Sequence, residues 1–191
     1  MKLIIASNNA HKIYEIKKIL SGKFDEIISL REAGIDHETV EDGKTFMENA
    51  LKKAREIAEI AGECALADDS GICVDALDGA PGIYSARFSG EHGNDEENNR
   101  LLLRKIQHAP DRSAHYTCAI ALVYPDGHSV EAEGYMYGEI TENPRGERGF
   151  GYDPLFVPTG ESRTVAEMTD EEKNAISHRA NALNLLLQKL W

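Results

Sequence analysis

Cys64-Ala65-Leu66-Ala67-Asp68-Asp69-Ser70-Gly71-Ile72-Cys73-Val74 holds two short apolar runs separated by four polar or small residues. Each run has the length and composition of a buried strand. Between them the stretch reads as a break, because Asp, Ser and Gly are common turn residues. Two adjacent carboxylates at a strand end repel each other unless a cation sits between them and a partner. Mg²⁺ is the simplest candidate, since it takes one or two protein carboxylates plus substrate phosphate oxygens. On its own the stretch reads as a turn.

The elements around it set the fold class. Leu3-Ile4-Ile5-Ala6 suits a buried parallel strand. Ile13, Ile16 and Leu20 then recur at helical spacing before Gly22, and Glu26-Ile27-Ile28-Ser29-Leu30 gives a second strand. Thr45-Phe46-Met47-Glu48 is a capping-box pattern. The helix it opens carries an apolar stripe from Met47 to Ala61 and closes at Gly62. Asn49, Lys53 and Glu56 share its opposite face. A further helix starts at Asn94, with Asp95, Glu96 and Glu97 in its first turn, where acids suit the dipole. Tyr116 to Tyr124 and Ser129 to Ile140 read as strands joined at Pro125-Asp126-Gly127. One last helix is expected from Thr169, with Ile176, Ala180, Leu183, Leu187 and Leu190 as its buried stripe. This order predicts a mixed α/β protein, parallel at the N-terminus with a long antiparallel hairpin later.

At 191 residues the chain fits a single domain over 1–191 with a sizeable core. A net charge of -12 argues against nucleic-acid and anionic-membrane partners. Any anionic ligand must therefore meet cations gathered in one place. Cys64, Cys73 and Cys118 are unclustered and lie in apolar runs, so they read as buried thiols of a reducing compartment. With no leader-like segment visible, the expectation is a cytoplasmic protein.

Several polar groups could carry chemistry. Ser7-Asn8-Asn9-Ala10-His11-Lys12 lies between a strand and a helix, a junction that aims backbone N–H groups at phosphate. The plain alternative is a helix cap with a surface lysine. Lys53, on the polar side of a well-capped helix, is a further candidate, although most lysines so placed are merely solvated. Glu41 is a loop acid or joins the Asp pair around a metal. Gly149-Phe150-Gly151-Tyr152-Asp153-Pro154 is a tight turn, or it holds a ring ready to stack on a nucleobase. Lys173, His178 and Arg179 lie off the final apolar stripe, facing solvent or a cleft.

Six ordered blocks together resemble the inosine triphosphate pyrophosphatase family. They are Ser7-Asn8-Asn9-x-x-Lys12, Asn49-Ala50-x-x-Lys53-Ala54, Ala67 to Gly71, Gly79 to Phe88, Gly149 to Pro154 and Ser177-His178-Arg179. The resemblance runs end to end. It implies an elongated mixed sheet flanked by helices, with two lobes around a central cleft. It also implies a homodimer and Mg²⁺-dependent hydrolysis of XTP, ITP and dITP to the monophosphate and pyrophosphate. By that resemblance the Ser7–Lys12 loop (Ser7, Asn8, Asn9, Ala10, His11, Lys12) and Lys53 hold the triphosphate. Glu41 and Asp69 carry the metal with Asp68 close by, Asp69 is the general base, and Ser70 contacts substrate. Phe150, Gly151, Tyr152, Asp153, Lys173, His178 and Arg179 frame the base. Asn8 and Arg148 stand where many relatives have Gly. The alternatives are a Maf-type pyrophosphatase acting on other modified nucleotides and a nucleotide-binding sensor without catalysis.

Overall fold

The computed structural model describes residues 2–190. Leu3, Ile4 and Ile5 of strand β1 (Lys2–Ile5) are almost completely buried because the strand is covered on both faces and both edges. It pairs in parallel with β2 (Glu26–Ser29) and with β3 (Cys64–Val74). Parallel neighbours need crossover connections, and helices α1 (Ala10–Ile19) and α2 (Phe46–Ala61) supply them. Asn9 caps α1 by accepting from the N–H groups of His11 and Lys12. Thr45 caps α2 through Glu48 N–H, and Gly62 ends that helix in the left-handed region. The Glu48 carboxylate takes the N–H of Lys44, one residue before the cap.

The sheet continues through β4 (Ser113–Val123), β5 (Ser129–Ile140) and β6 (Phe156–Pro158) in the order β2-β1-β3-β4-β5-β6. Strand β6 runs antiparallel to β5. The chain forms two compact units, residues 2–69, 118–134 and 179–190, and residues 70–117 and 135–178.

In the first unit each sheet face has its own core. Leu3, Ile5, Leu66 and Ile120 pack with Ile16 and Leu20 of α1 and with Leu183 and Leu186 of α5 (His178–Leu190). Ile4, Ala65, Ala67, Ala119 and Ala121 pack against Ala50, Ala54, Ile57 and Ala58 of α2. Burying a Leu or Ile side chain contributes about 1.5–3 kcal/mol, so these two layers fix the strand register. In the second unit Leu102 and Ile106, from the end of α3 (Asp95–Lys105), pack with Ile72, Val74, Tyr116, Tyr152 and Phe156. Helix α4 (Asp170–Ile176) belongs to the same unit.

Two sequence expectations need correction. First, β3 does not break at Asp68: it runs unbroken from Cys64 to Val74. Burial on both faces makes the polar residues part of the strand. Second, the C-terminal helix is two helices. Ser177 has an extended backbone (φ −66°, ψ 150°), the conformation of a helix-capping serine, and α5 begins after it. Ile176 consequently stays 36% exposed, while Ala180 and Leu183 are buried as expected. Among the described residues no helix is long and apolar enough to cross a membrane.

Candidate active site

Successive side chains of a strand point to opposite faces, and β3 applies this to its two aspartates. Asp68 follows Cys64 and Leu66 toward α1 and α5, whereas Asp69 follows Ala65 and Ala67 toward α2. Their hydrogen-bond partners therefore differ, while Lys12 and Lys53 act on both charges.

On the α1/α5 face, Asp68 Oδ2 accepts from Arg179 Nη2 at 2.9 Å and Nε at 3.3 Å, with Lys12 Nζ 3.1 Å away. Arg179 Nη1 donates to Glu15. Burial opposes the Asp68 charge, but Lys12, Arg179 and Lys53 outweigh it and hold the carboxyl well below the usual carboxylate range. Asp68 Oδ1 is buried with no hydrogen-bond partner among the described residues.

On the α2 face, Asp69 Oδ2 accepts from Asn49 Nδ2 at 2.9 Å, and Asn49 Oδ1 accepts the Gly43 N–H at 2.8 Å. Lys53 Nζ donates to Glu41 Oε1 at 2.7 Å and to the Asp68 carbonyl at 2.8 Å. Lys52 pairs with Asp42, and Glu56 accepts from Thr39 and pairs with His37. The segment from His37 to Gly43 is thus stitched backwards along the polar face of α2. Desolvation raises the Asp69 pKa, against the pull of Lys53 and Lys12. Burial disfavours the Lys53 ammonium, yet Asp69, Asp68 and Glu41 keep its pKa above the ordinary lysine value.

The second unit holds a different group. Asp153 Oδ2 accepts the Phe150 N–H at 3.0 Å and Lys173 Nζ at 2.9 Å, and Oδ1 accepts the Tyr116 hydroxyl at 3.2 Å. Burial, then Asp153, raises the Tyr116 pKa, so the phenol stays a donor. Lys173 Nζ lies 4.6 Å from the centre of the Phe150 ring. His178 stacks on Tyr116 with centroids 4.7 Å apart. Tyr152 donates to the Ser85 carbonyl at 2.7 Å.

The sequence-derived residues therefore fall into two sets. Lys12, Glu41, Lys53, Asp68 and Asp69 gather in the first unit, and Phe150, Gly151, Tyr152, Asp153, Lys173 and His178 in the second. Arg179 is not with the second set: its guanidinium is spent on Asp68 and Glu15. Neither His178 nor Arg179 faces solvent, at 5% and 0% exposure. Lys12 and Lys53 are mostly buried, not surface lysines. Asn9 is the cap that the plain reading required, with Ser7 Oγ accepting its N–H, while Asn8, Ala10 and His11 are exposed. Ser70 is half-buried on β3.

Sequence reasoning did not single out Glu15 or Tyr116, and gave Asn49 no role beyond sharing a face with Lys53 and opening one of the six matched blocks. That shared face was the available signal. For a metal, no three His, Cys, Asp or Glu side chains form a ready cluster among the described residues. Mg²⁺ does not require one, as one or two carboxylates plus phosphate oxygens suffice. Asp69 and Glu41 flanking Lys53, with the orphaned Asp68 Oδ1, fit that chemistry.

Comparison with known proteins gives a consistent result over the whole chain. The Ham1 family profile matches residues 3–189. A dITP/XTP pyrophosphatase of Clostridium perfringens is 53% identical over 197 residues, covering 99% of this chain and 97% of the relative. The Ham1 protein of Staphylococcus aureus superposes with a TM-score of 0.89 at 42% identity, covering 100% of this chain and 98% of that one. A nucleoside-triphosphatase / dITP/XTP pyrophosphatase from Mycobacterium abscessus superposes at 0.80 with 46% identity, covering 98% and 99%. With the α/β order, the aspartate pair on β3 and the Gly149–Asp153 loop already in place, these likenesses show that the chain belongs to the Ham1 family.

Proposed function

We propose that this protein hydrolyses the deaminated purine nucleoside triphosphates XTP, ITP and dITP to the nucleoside monophosphate and pyrophosphate, with Mg²⁺ as cofactor. One observation carries the reading: a chain of net charge -12 concentrates Lys12, Lys53 and Arg179 around one pair of adjacent carboxylates. A polyanionic substrate needs cations gathered in one place, and because Asp68, Asp69, Glu41 and Glu15 offset these three, it needs a metal ion as well. The dITP/XTP pyrophosphatases among its relatives support the substrate class.

Phosphoryl transfer depends on neutralising charge and positioning the attacking water. In this reading Lys12 and Lys53 neutralise triphosphate oxygens, with the Ser7–Lys12 loop offering the α1 N-terminus. The raised pKa of Asp69 brings it closer to that of an effective base. Its carboxylate takes the proton of the attacking water as the bond between the α- and β-phosphates breaks and pyrophosphate leaves with the bond electrons. Asp69 and Glu41 would hold Mg²⁺, which supplies charge neutralisation and polarises water and phosphate oxygens when bound. The Lys53–Glu41 pair must open for Glu41 to take that role.

The purine is assigned to Phe150 and its neighbours, with Lys173 and His178 as donors toward the 6-oxo group, Lys173 anchored by Asp153 and His178 stacked on Tyr116. Arg179 departs from the role that the resemblance implies, because its donors already serve Asp68 and Glu15. It keeps Asp68 charged. We further propose that the protein is a homodimer, which sedimentation of the purified protein tests, and that it acts in the cytoplasm.

The deciding assay is pyrophosphate release from XTP, ITP, dITP, GTP, ATP and dTTP, with and without Mg²⁺. Fast, Mg²⁺-dependent turnover of the first three is expected, and Asp69→Asn should abolish it. Equal rates on GTP and ATP would overturn the specificity. Tight ITP binding with no release would instead favour a sensor.

A further inference from the structure

Asp95 and Asn99 lie one turn apart on α3, so both side chains leave the same face of the helix. Acidic residues in a first helical turn ordinarily answer the helix dipole. Asp95 does more: its Oδ2 accepts the Gly151 N–H at 2.7 Å. Asn99 Nδ2 donates to the Gly151 carbonyl at 3.1 Å. Both backbone groups of one glycine are thus held by a single helix, from more than fifty positions away in sequence.

The consequence falls on Phe150. The peptide group before it is fixed by the bond from Phe150 N–H to Asp153 Oδ2. The peptide group after it is fixed by the bond from Gly151 N–H to Asp95. A residue's two soft backbone torsions lie between those two peptide planes, so with both planes anchored Phe150 cannot swing its ring by backbone rotation. The ring lies over Lys173 Nζ, a contact that favours one setting of its remaining side-chain torsions. Gly151, with φ of +61°, lets the chain turn toward α3 at this point.

We infer that Asp95 and Asn99 are positioning residues that set base selectivity by locking the Phe150 ring through the Gly151 peptide. The inference rests on the reading of Phe150 as the nucleobase platform. Stacking alone is sequence-tolerant, because every base has a π-face. A ring held at one angle presents the purine edge to Lys173 and His178 in one orientation, and a base that misfits there cannot tilt to escape. A loosened ring accepts the wrong base more readily.

The test compares wild type, Asp95→Ala, Asp95→Asn and Asn99→Ala in steady-state hydrolysis of XTP and GTP, with calorimetric binding of inorganic tripolyphosphate as a second readout. Loss of a charge-assisted bond of about 1.4 kcal/mol is about tenfold. Asp95→Ala should raise KM for XTP about tenfold with kcat within about twofold, the pattern of lost uniform binding. The XTP-over-GTP ratio of kcat/KM should fall by a similar factor. Asp95→Asn, which keeps an oxygen acceptor, should recover most of the loss, and Asn99→Ala should shift KM in the same direction. Tripolyphosphate affinity should not change, because that ligand has no base. Unchanged XTP kinetics in Asp95→Ala, no recovery in Asp95→Asn, or a parallel loss of tripolyphosphate binding would each overturn the inference. Failure of the wild type to turn over XTP would instead strike the underlying functional reading.

Discussion

Arg179 Nη2 and Asp68 Oδ2 lie 2.9 Å apart with both side chains at 0% exposure. A buried pair of this kind contributes little over a well-packed apolar pair, but breaking it leaves a charge stranded. Replacing Arg179 by Met takes its guanidinium from Asp68 and Glu15 together, leaving Lys12 and Lys53 to compensate Asp68. We predict that Arg179→Met costs about 3–5 kcal/mol of unfolding free energy in urea titrations. The double variant Asp68→Asn/Arg179→Met should regain part of it. A loss below about 1 kcal/mol for the single variant would contradict the ion-pair account.

Asn49 bridges the Gly43 N–H and the Asp69 carboxylate, tying the strand aspartate to the loop that carries Glu41. Partners one step behind a metal or catalytic carboxylate typically cost 10–100-fold in affinity or activity when removed, roughly. Asn49→Ala should lower kcat/KM for XTP within that range. Asn49→Asp should be worse than Ala, since it sets a second carboxylate against Asp69. The reverse order in XTP kinetics would refute the bridge.

Gly149 and Gly151 both have positive φ, at 75° and 61°, yet they are not equivalent. A Cβ on Gly149 would run into the Asp153 carboxylate, while one on Gly151 meets open space. Gly151→Ala should therefore cost only backbone strain, about 1 kcal/mol by thermal unfolding. Gly149→Ala should displace Asp153 from Lys173 and Phe150 as well, raising KM for XTP in addition to lowering stability. Equal KM values for the two variants would defeat this distinction.

Glu32 gives a pH signature elsewhere in the first unit. Its Oε2 accepts from Lys17 Nζ, Ser29 N–H and Ser29 Oγ at 2.6, 2.7 and 2.8 Å. Those bonds, Lys17 first, lower its pKa from 4.5 to about 2. A depressed carboxyl pKa stabilises the fold above its unfolded value and loses that contribution as pH falls through the folded value. The stability difference between wild type and Glu32→Gln should be constant above pH 4.5 and fade toward about pH 2. A carboxyl NMR titration placing Glu32 near 4.5 would contradict the assignment. Because the side chain is half exposed, the effect should also shrink with added salt.

How far the sequence could be read depended on the range of the forces involved. Helix α2 was legible from end to end, since its cap, stripe and terminal glycine are all local signals. The lysine-bearing face came with it. Continuity of β3 was not legible, because its place between β1 and β4 is a tertiary fact, and a turn-like composition hides it at Asp68 to Gly71. The break at Ser177 escaped for the opposite reason: the helical period continues across it. Within the candidate site, Arg179 and Glu15 stand 164 positions apart and Asn49 and Asp69 20 apart. No local pattern announces such partners. Residue types were readable, but who holds whom required the fold.

The pleat of β3 sends two neighbouring acids into different layers: Asp68 takes hydrogen bonds from Arg179 of α5, and Asp69 takes one from Asn49 of α2. Repacking α5 therefore disturbs first what holds Asp68, and repacking α2 first what holds Asp69. The lysines carry either change across, because Lys12 of α1 and Lys53 of α2 act on both charges. The dipeptide is thus one electrostatic unit with two mechanical anchors. Inserting or deleting a single residue in the strand before Asp68 would exchange those anchors at a stroke.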